Sequence, residues 1–173
     1  MPCRIRFATP DDASTLHRFI CELADYEREP DAVEVTADQL RAQLEQERPP
    51  FECILAEDPD GPEPIARGFA LFFHNYSTWR GRRGLYLEDL YVPPEHRGTG
   101  VGRTLLATLA RLATERGCAR LEWSVLDWNA PAITFYQQLG AQPMSEWTTF
   151  RLTDEPLAQL AASGPAMDKP AGA

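Results

Sequence analysis

The sequence predicts an α/β protein built on a mixed, mostly antiparallel sheet with helices on both faces. Three observations carry this. Apolar residues recur at helical spacing in two long stretches, 10–26 and 101–116, which marks helices with one face against a core. Two runs that read as strands, 51–57 and 65–76, are joined by DPDGPEP, a connection short enough to make an antiparallel hairpin. The patterns follow one another in the order β-α-α-β-β-β-α-β-α-β, with no internal repeat.

Residues 4–8 are the first expected strand. Thr9-Pro10-Asp11-Asp12 then opens a helix, with a hydroxyl to cap it, a proline suited to the first turn, and acids at the positive end of the dipole. Leu16, Phe19, Ile20, Leu23 and Ala24 form its apolar face, and Tyr26 and Glu27 lie near its end. Glu29, Pro30 and Asp31 interrupt the pattern, and Thr36-Ala37-Asp38-Gln39 resembles a capping box that starts a shorter helix through Leu40 and Leu44. After the hairpin, STWRGRRG is a turn into a fourth strand, 85–92. Val101, Leu105, Leu109, Leu112 and Ala113 make the stripe of the clearest helix, and Gly117 stands where a terminator belongs. A fifth strand is expected over 120–126, a helix from Asn129-Ala130-Pro131 through Tyr136 to Gly140, and a last strand over 147–153. Residues 1–162 are expected to form one domain, and the Pro- and Ala-containing stretch 163–173 a mobile tail.

With 173 residues, 43% of them hydrophobic, the chain is long enough for one domain that buries roughly 70% of its unfolded surface. A net charge of −9 and a pI near 4.8 disfavour nucleic acid or an anionic membrane as partner, because a polyanion is repelled at long range; a cationic substrate suits them. The first eight residues, MPCRIRFA, lack the apolar core of a signal peptide, and no stretch approaches the ~20 apolar residues of a membrane span, so a cytoplasmic protein is expected. Cys3, Cys21, Cys53 and Cys118 are far apart and read as small buried hydrophobes rather than a disulfide framework. His17, His74 and His96 share no ligand spacing with them, so no metal is expected.

The chemistry concentrates in LYLEDLYVPPEHRGTGVG, residues 85–102. Arg97-Gly98-Thr99-Gly100-Val101-Gly102 follows a strand and opens an amphipathic helix, so backbone N–H groups and the positive end of the dipole converge on one point. That is an anion site, best suited to phosphate, with glycines where a donor must approach closely and Arg97 as a charged contact at the rim. A nucleotide-hydrolase loop is excluded because Gly102 is followed by Arg103-Thr104 rather than Lys-Ser/Thr at the proper spacing. A dinucleotide fold is disfavoured because its glycines belong after the first strand, not the fourth.

Arg-Gly-x-Gly-x-Gly at the head of the main helix resembles the acetyl-CoA pyrophosphate loop of the GNAT N-acetyltransferase superfamily. Trp128-Asn129-x-Pro131-Ala132 with Phe135-Tyr136 and Gly140-Ala141 resembles that family's final helix motif, in the family's order. The resemblance is closest to the diamine (spermidine/spermine) and thialysine acetyltransferases. It rests on Glu22-Leu23-Ala24-x-Tyr26-Glu27, Gly68-Phe69-Ala70 and Leu85-Tyr86-Leu87-Glu88-Asp89 with Val92, and it covers residues 4–152. It implies a GNAT fold whose fourth and fifth strands splay apart around the pantetheine arm. Leu90, Tyr91 and Val92 would then pair with that arm, Arg97, Gly98, Thr99, Gly100, Val101 and Gly102 would hold the pyrophosphate, and Asn129 and Ala132 would contribute from the last motif. Asn129 serves equally well as a helix cap. The prolines Pro93-Pro94 fit a strand that stops before the loop.

Acetyl transfer from a thioester to an amine requires the ammonium to lose a proton and the departing thiolate to gain one. Glu88 lies within an apolar strand, where burial would raise its pKa and make it a better base; the resemblance gives it the same role, through a water. Tyr136 matches the family's tyrosine acid. Asp89 should face away from Glu88 by strand alternation unless a bulge brings both to the site. Tyr26, Glu27 and Glu88 match polyamine-contacting positions, but Thr148 stands where the diamine enzymes place a glutamate, with Glu146 nearby. The expected activity is acetyl-CoA-dependent N-acetylation of a polyamine or diamine by direct attack in a ternary complex. A basic amino acid or a protein amine is the alternative substrate, and an acyl-CoA-binding module the non-enzymatic alternative, against which the presence of both Glu88 and Tyr136 argues. The resemblance further implies a homodimer, for which Tyr76, Trp79 and Trp147 are candidate exposed aromatics.

Overall fold

The computed structural model describes residues 3–58 and 64–165. Residues up to Asn129 gather into one compact unit and those from Ala130 into a second. In the first unit, five strands form an open sheet in the order β1 (Arg4–Phe7), β2 (Glu52–Asp58), β3 (Ile65–Ser77), β4 (Arg82–Tyr91), β5 (Leu121–Trp123). The first four pair antiparallel, and β5 joins β4 in parallel. The sheet is the mixed, mostly antiparallel one expected. Its β4–β5 ladder ends at Leu87 and Trp123 while β4 runs on to Tyr91, so the two strands part there.

Helices α1 (Ala13–Tyr26), α2 (Ala37–Leu44) and α3 (Val101–Glu115) complete the unit. Strand alternation sorts the core. Cys53, Leu55, Phe69, Leu71 and Tyr91 pack with Ala13, Leu16 and Phe19 of α1 and Leu40 of α2. The alternate positions Ile54, Ala70, Phe72 and Leu87 are buried as well, and α3, which packs on β2, β3 and β4, buries Val101, Leu105, Leu106, Leu109 and Ala113. Of the cysteines, Cys53 alone is buried; Cys3, Cys21 and Cys118 are partly exposed, because they sit at element ends or on a helix flank rather than in a strand interior.

Local signals act as their chemistry dictates. Asp12 ties down the start of the helix: its carboxylate accepts from the Thr9 N–H at 2.7 Å and from the Thr9 hydroxyl at 3.0 Å, and a 3-10 turn, Pro10–Asp12, precedes α1. Arg6 of β1 forks onto Asp12 at 2.7 Å and reaches the buried Glu57 at 2.8 Å. Burial opposes the Asp12 charge, but these hydrogen bonds outweigh it and hold its pKa below the usual carboxylate value. The Thr36 hydroxyl accepts from the Gln39 N–H at 3.2 Å while the Gln39 side chain accepts from the Thr36 N–H at 2.8 Å, the capping box expected. Thr36→Ala removes one of these donors' partners and should cost about 1 kcal/mol, read as a lower urea midpoint at unchanged slope.

The second unit contains α4 (Ala130–Gln138) and α5 (Asp154–Ala162). The strand expected over 147–153 is absent: those residues are irregular and exposed. A β-prone run becomes a strand only where a neighbouring strand completes its ladder, and 147–153 joins no ladder of the described sheet. α5 stands outside the expected order, although Thr153 at the cap and Asp154 and Glu155 in the first turn are a helix-start signal. Of the tail expected at 163–173, residues 166–173 lie outside the described residues. No described helix is long and apolar enough to cross a membrane.

Candidate active site

The decisive local feature is a bulge in β4. Leu71 pairs with Asp89 but Phe72 pairs with Leu87, so Glu88 is an extra residue with no partner of its own. An inserted residue reverses the alternation beyond it. Asp89 and Tyr91 thereby turn to the face that carries α1, while Glu88 stands out exposed. The burial expected for Glu88 belongs instead to its neighbour. Asp89 is only partly exposed, and its pKa is pushed up to about 6, first by burial and then by repulsion from Glu88 and Glu27. Burial likewise raises Glu27. The bulge therefore gathers Glu27, Glu88 and Asp89 into one electrostatic group, which alternation alone would have dispersed.

Beside them, α1 ends in a stack of rings and cations. The Tyr26 hydroxyl donates to Oδ1 of the buried Asn129 at 3.1 Å. Its ring lies 5.9 Å from that of Trp128 and 4.7 Å beneath the guanidinium of Arg97. Arg28, next along, lies 4.7 Å over the Trp128 ring. Tyr26 was expected to face the amine; here its hydroxyl is engaged by Asn129 and its faces by neighbours. Arg97 was expected at the phosphate rim, yet its Nε donates to the Val92 carbonyl at 2.9 Å and its charge rests over Tyr26 and Tyr91. That bond ties the loop back to the end of β4 and uses a carbonyl on the stretch Leu90, Tyr91 and Val92.

The glycine turn has the form an anion requires. Gly98 (φ +74°) and Gly100 (φ +92°) flank Thr99 in left-handed backbone, and the space that a Cβ would fill at each glycine is open. Gly100 is the N-cap of α3 and offers no side chain to the first N–H groups of Val101 and Gly102; the Thr104 N–H to the Gly100 carbonyl, 3.0 Å, begins the intrahelical bonds. A cradle of backbone donors at the positive end of a 15-residue helix fits a phosphate group. A depression of about 420 Å³ runs on along α3, lined by Arg103, Thr104, Ala107, Thr108 and Arg111. Gly68 lets β3 lie against the end of β4, since a Cβ there would stand 2.7 Å from the Tyr91 carbonyl and 3.3 Å from the Val101 side chain. Gly68→Ala should therefore destabilise by about 1–3 kcal/mol, measured as a lower unfolding midpoint.

In the second unit, Ala132, Phe135 and Tyr136 share α4 and are half-buried, with the rings of Phe135 and Tyr136 5.4 Å apart. Thr148 lies in the irregular exposed stretch after it. What the sequence reading missed was Arg28, whose signal was its place just past the helix end.

Comparison with known proteins agrees with this architecture. The model of the acetyltransferase (GNAT) family matches residues 16–141. A thialysine N-epsilon-acetyltransferase of Bos taurus is 40% identical over 166 residues, covering 91% of this chain and 96% of that protein. L-ornithine N5-acetyltransferase NATA1 of Arabidopsis thaliana is 32% identical, covering 89% and 86%. Among solved structures, an integron cassette protein of V. cholerae superposes with a TM-score of 0.77 at 26% identity, over 94% of this chain and 99% of that one. The splayed sheet, the glycine cradle and these matches together make the chain a member of the GNAT acetyltransferase family and an N-acetyltransferase.

Proposed function

We propose that this enzyme takes acetyl from acetyl-CoA and transfers it, by direct attack in a ternary complex, to a primary amine of a small cationic substrate. The observation that carries this is a group of three carboxylates, Glu88 and Asp89 on the strand that leads into an anion cradle and Glu27 at the end of α1. Gly98, Thr99, Gly100, Val101 and Gly102 are proposed to hold the pyrophosphate, Leu90, Tyr91 and Val92 to line the pantetheine arm, and Asn129 and Ala132 to contribute to the same arm. Arg97 acts by fixing the loop to Val92. Asp89 and Glu27 attract the ammonium. Glu88, exposed at the bulge, takes a proton from it through a water. The amine nitrogen then bonds to the thioester carbon; as the C–S bond breaks the thiolate takes a proton from Tyr136, and the second proton leaving the acylated nitrogen passes through water to the phenolate and restores the phenol.

The terminal amine of a basic amino acid is the favoured acceptor. Relatives named for thialysine and ornithine acetylation support it, and so does Thr148 in place of an expected acid. A diamine or polyamine is the second reading, favoured by the acidic group itself and by a relative named as spermidine/spermine N(1)-acetyltransferase-like. The test is thiol release from acetyl-CoA over a panel of basic amino acids, diamines and lysine peptides. Release with the small amines is the expected result; tight CoA binding with no release from any amine would instead identify an acyl-CoA-binding module. We further propose a homodimer working in the cytoplasm, with the exposed Tyr76 and Trp79 as candidate interface residues; a monomer mass by light scattering would remove the dimer.

A further inference from the structure

Helix α1 closes in a conformation that its sequence ought to avoid. The Arg28 N–H bonds to the Asp25 carbonyl at 3.1 Å and the Glu29 N–H reaches back to the Ala24 carbonyl at 2.9 Å, the paired closure in which the intervening residue turns left-handed. Glycine ordinarily takes that place, because a Cβ there crowds its own backbone. Here it is Arg28, with φ +68°, and among the described non-glycine residues only Asp154 shares that conformation. Strain of this kind persists where the surroundings enforce it and where the side chain has a use.

The side chain shows what is gained. Its guanidinium lies 4.7 Å over the Trp128 ring, and that ring is braced by Tyr26 and remains 44% exposed. A guanidinium held over a ring by cation–π attraction still has N–H donors to offer in a fork that matches a carboxylate, and Arg28 is exposed. Among the described residues, no acid takes up that fork. Yet the residue before it is Glu27, which stands close enough to Asp89 to repel its charge, with Glu88 alongside. A rim of three carboxylates draws in an ammonium and rejects any carboxylate on the same molecule. An amino acid with a terminal amine carries both, so it needs one cation beside the acids.

We propose that Arg28 is a specificity-determining residue, pairing through its exposed fork with the α-carboxylate of an amino acid whose terminal amine is held by the acidic rim. This rests on the reading of the site as an amine acetyltransferase. A diamine of the same length gains nothing from Arg28 and meets its charge with its own second ammonium.

Steady-state kinetics on the full chain tests this with substrate pairs that differ only in the carboxylate: L-ornithine against 1,4-diaminobutane, and L-lysine against 1,5-diaminopentane. In Arg28→Gln and Arg28→Gly the ratio of kcat/KM, amino acid over diamine, should fall by about 10- to 100-fold through KM, the scale of one charge-assisted pair. Arg28→Lys, which keeps the charge but loses the fork, should recover only part of it. The glycine variant also relieves the left-handed strain, so an unfolding midpoint at or above the native one shows that its loss is not misfolding. Ratios unchanged in both variants overturn the proposal. A native protein that acetylates the diamines but neither amino acid overturns it too, and leaves the amine acetyltransferase reading standing; release with none of the four amines removes that reading itself.

Discussion

Asp89→Asn is expected to stabilise the protein above neutral pH while weakening its capture of the amine. The Asp89 carboxyl has its pKa raised from 3.8 to about 6, by burial first and then by Glu88 and Glu27. An acid whose folded pKa is raised holds its proton more tightly in the folded state. Its contribution to stability is full at pH below 3.8, is lost as pH rises through about 6, and stays lost above that. A shift of this size corresponds to roughly 3 kcal/mol, so removing the charge should return about 1–3 kcal/mol at pH 8, once the amide's own desolvation is counted. At pH 4 the gain should nearly vanish. Urea unfolding at the two pH values measures this; an equal effect at both would show that Asp89 titrates normally.

The same charge has a functional signature. If ionised Asp89 holds the ammonium, as proposed, kcat/KM for the native protein should rise as pH passes through about 6, the value for the unliganded group. With a cation bound, the carboxylate is paired and its pKa falls, so the corresponding limb in kcat should lie at lower pH. Asp89→Asn should lose the limb in kcat/KM and raise KM by about 10- to 100-fold. Glu88→Gln should keep that limb but lower kcat. If the limb survives in Asp89→Asn and vanishes in Glu88→Gln, the assignments are reversed. A stabilised but poorly binding variant would also show that this carboxylate is retained for function at a cost to folding.

The second large effect is expected from Tyr136→Phe. The substitution deletes one oxygen and leaves the ring against Phe135. If the phenol supplies the proton that the thiolate needs, kcat should fall by about 100-fold or more, while stability changes by about 1 kcal/mol or less. KM for the amine should change little, because the lost interaction develops only as the C–S bond breaks. Single-turnover thiol release read beside thermal unfolding separates chemistry from folding. Native turnover in the variant would remove Tyr136 from the mechanism.

Much of this architecture was legible because local chemistry and long-range packing agree. The stripe of α3 is bracketed by Gly100 and Gly117, both in left-handed backbone, so its limits follow from where glycine alone is comfortable. The box at Thr36 and the cap at Thr9 needed only neighbours three residues away. The stretch 147–153 is rich in β-formers, but propensity alone does not supply the neighbouring strand that a ladder needs. The apolar strand predicts a buried Glu88, whereas Glu88 is exposed and Asp89 is the more buried of the two, since nothing local marks the extra residue that β4 inserts opposite β3.

By itself, then, the chain determines helices α1 to α4, the caps at Thr9 and Thr36, the antiparallel hairpin and the glycine turn at the head of α3, all of which rest on contacts within a few residues or on a repeating pattern. The tertiary structure decided the rest. A one-residue bulge, defined only by the register between two strands, turned Asp89 toward α1 and brought it within reach of the Glu27 charge, far away in sequence. The contact between Arg28, in left-handed backbone, and Trp128 joins residues a hundred positions apart. Register and long-range packing are energies of pairs distant along the chain, and a sequence read residue by residue does not contain them.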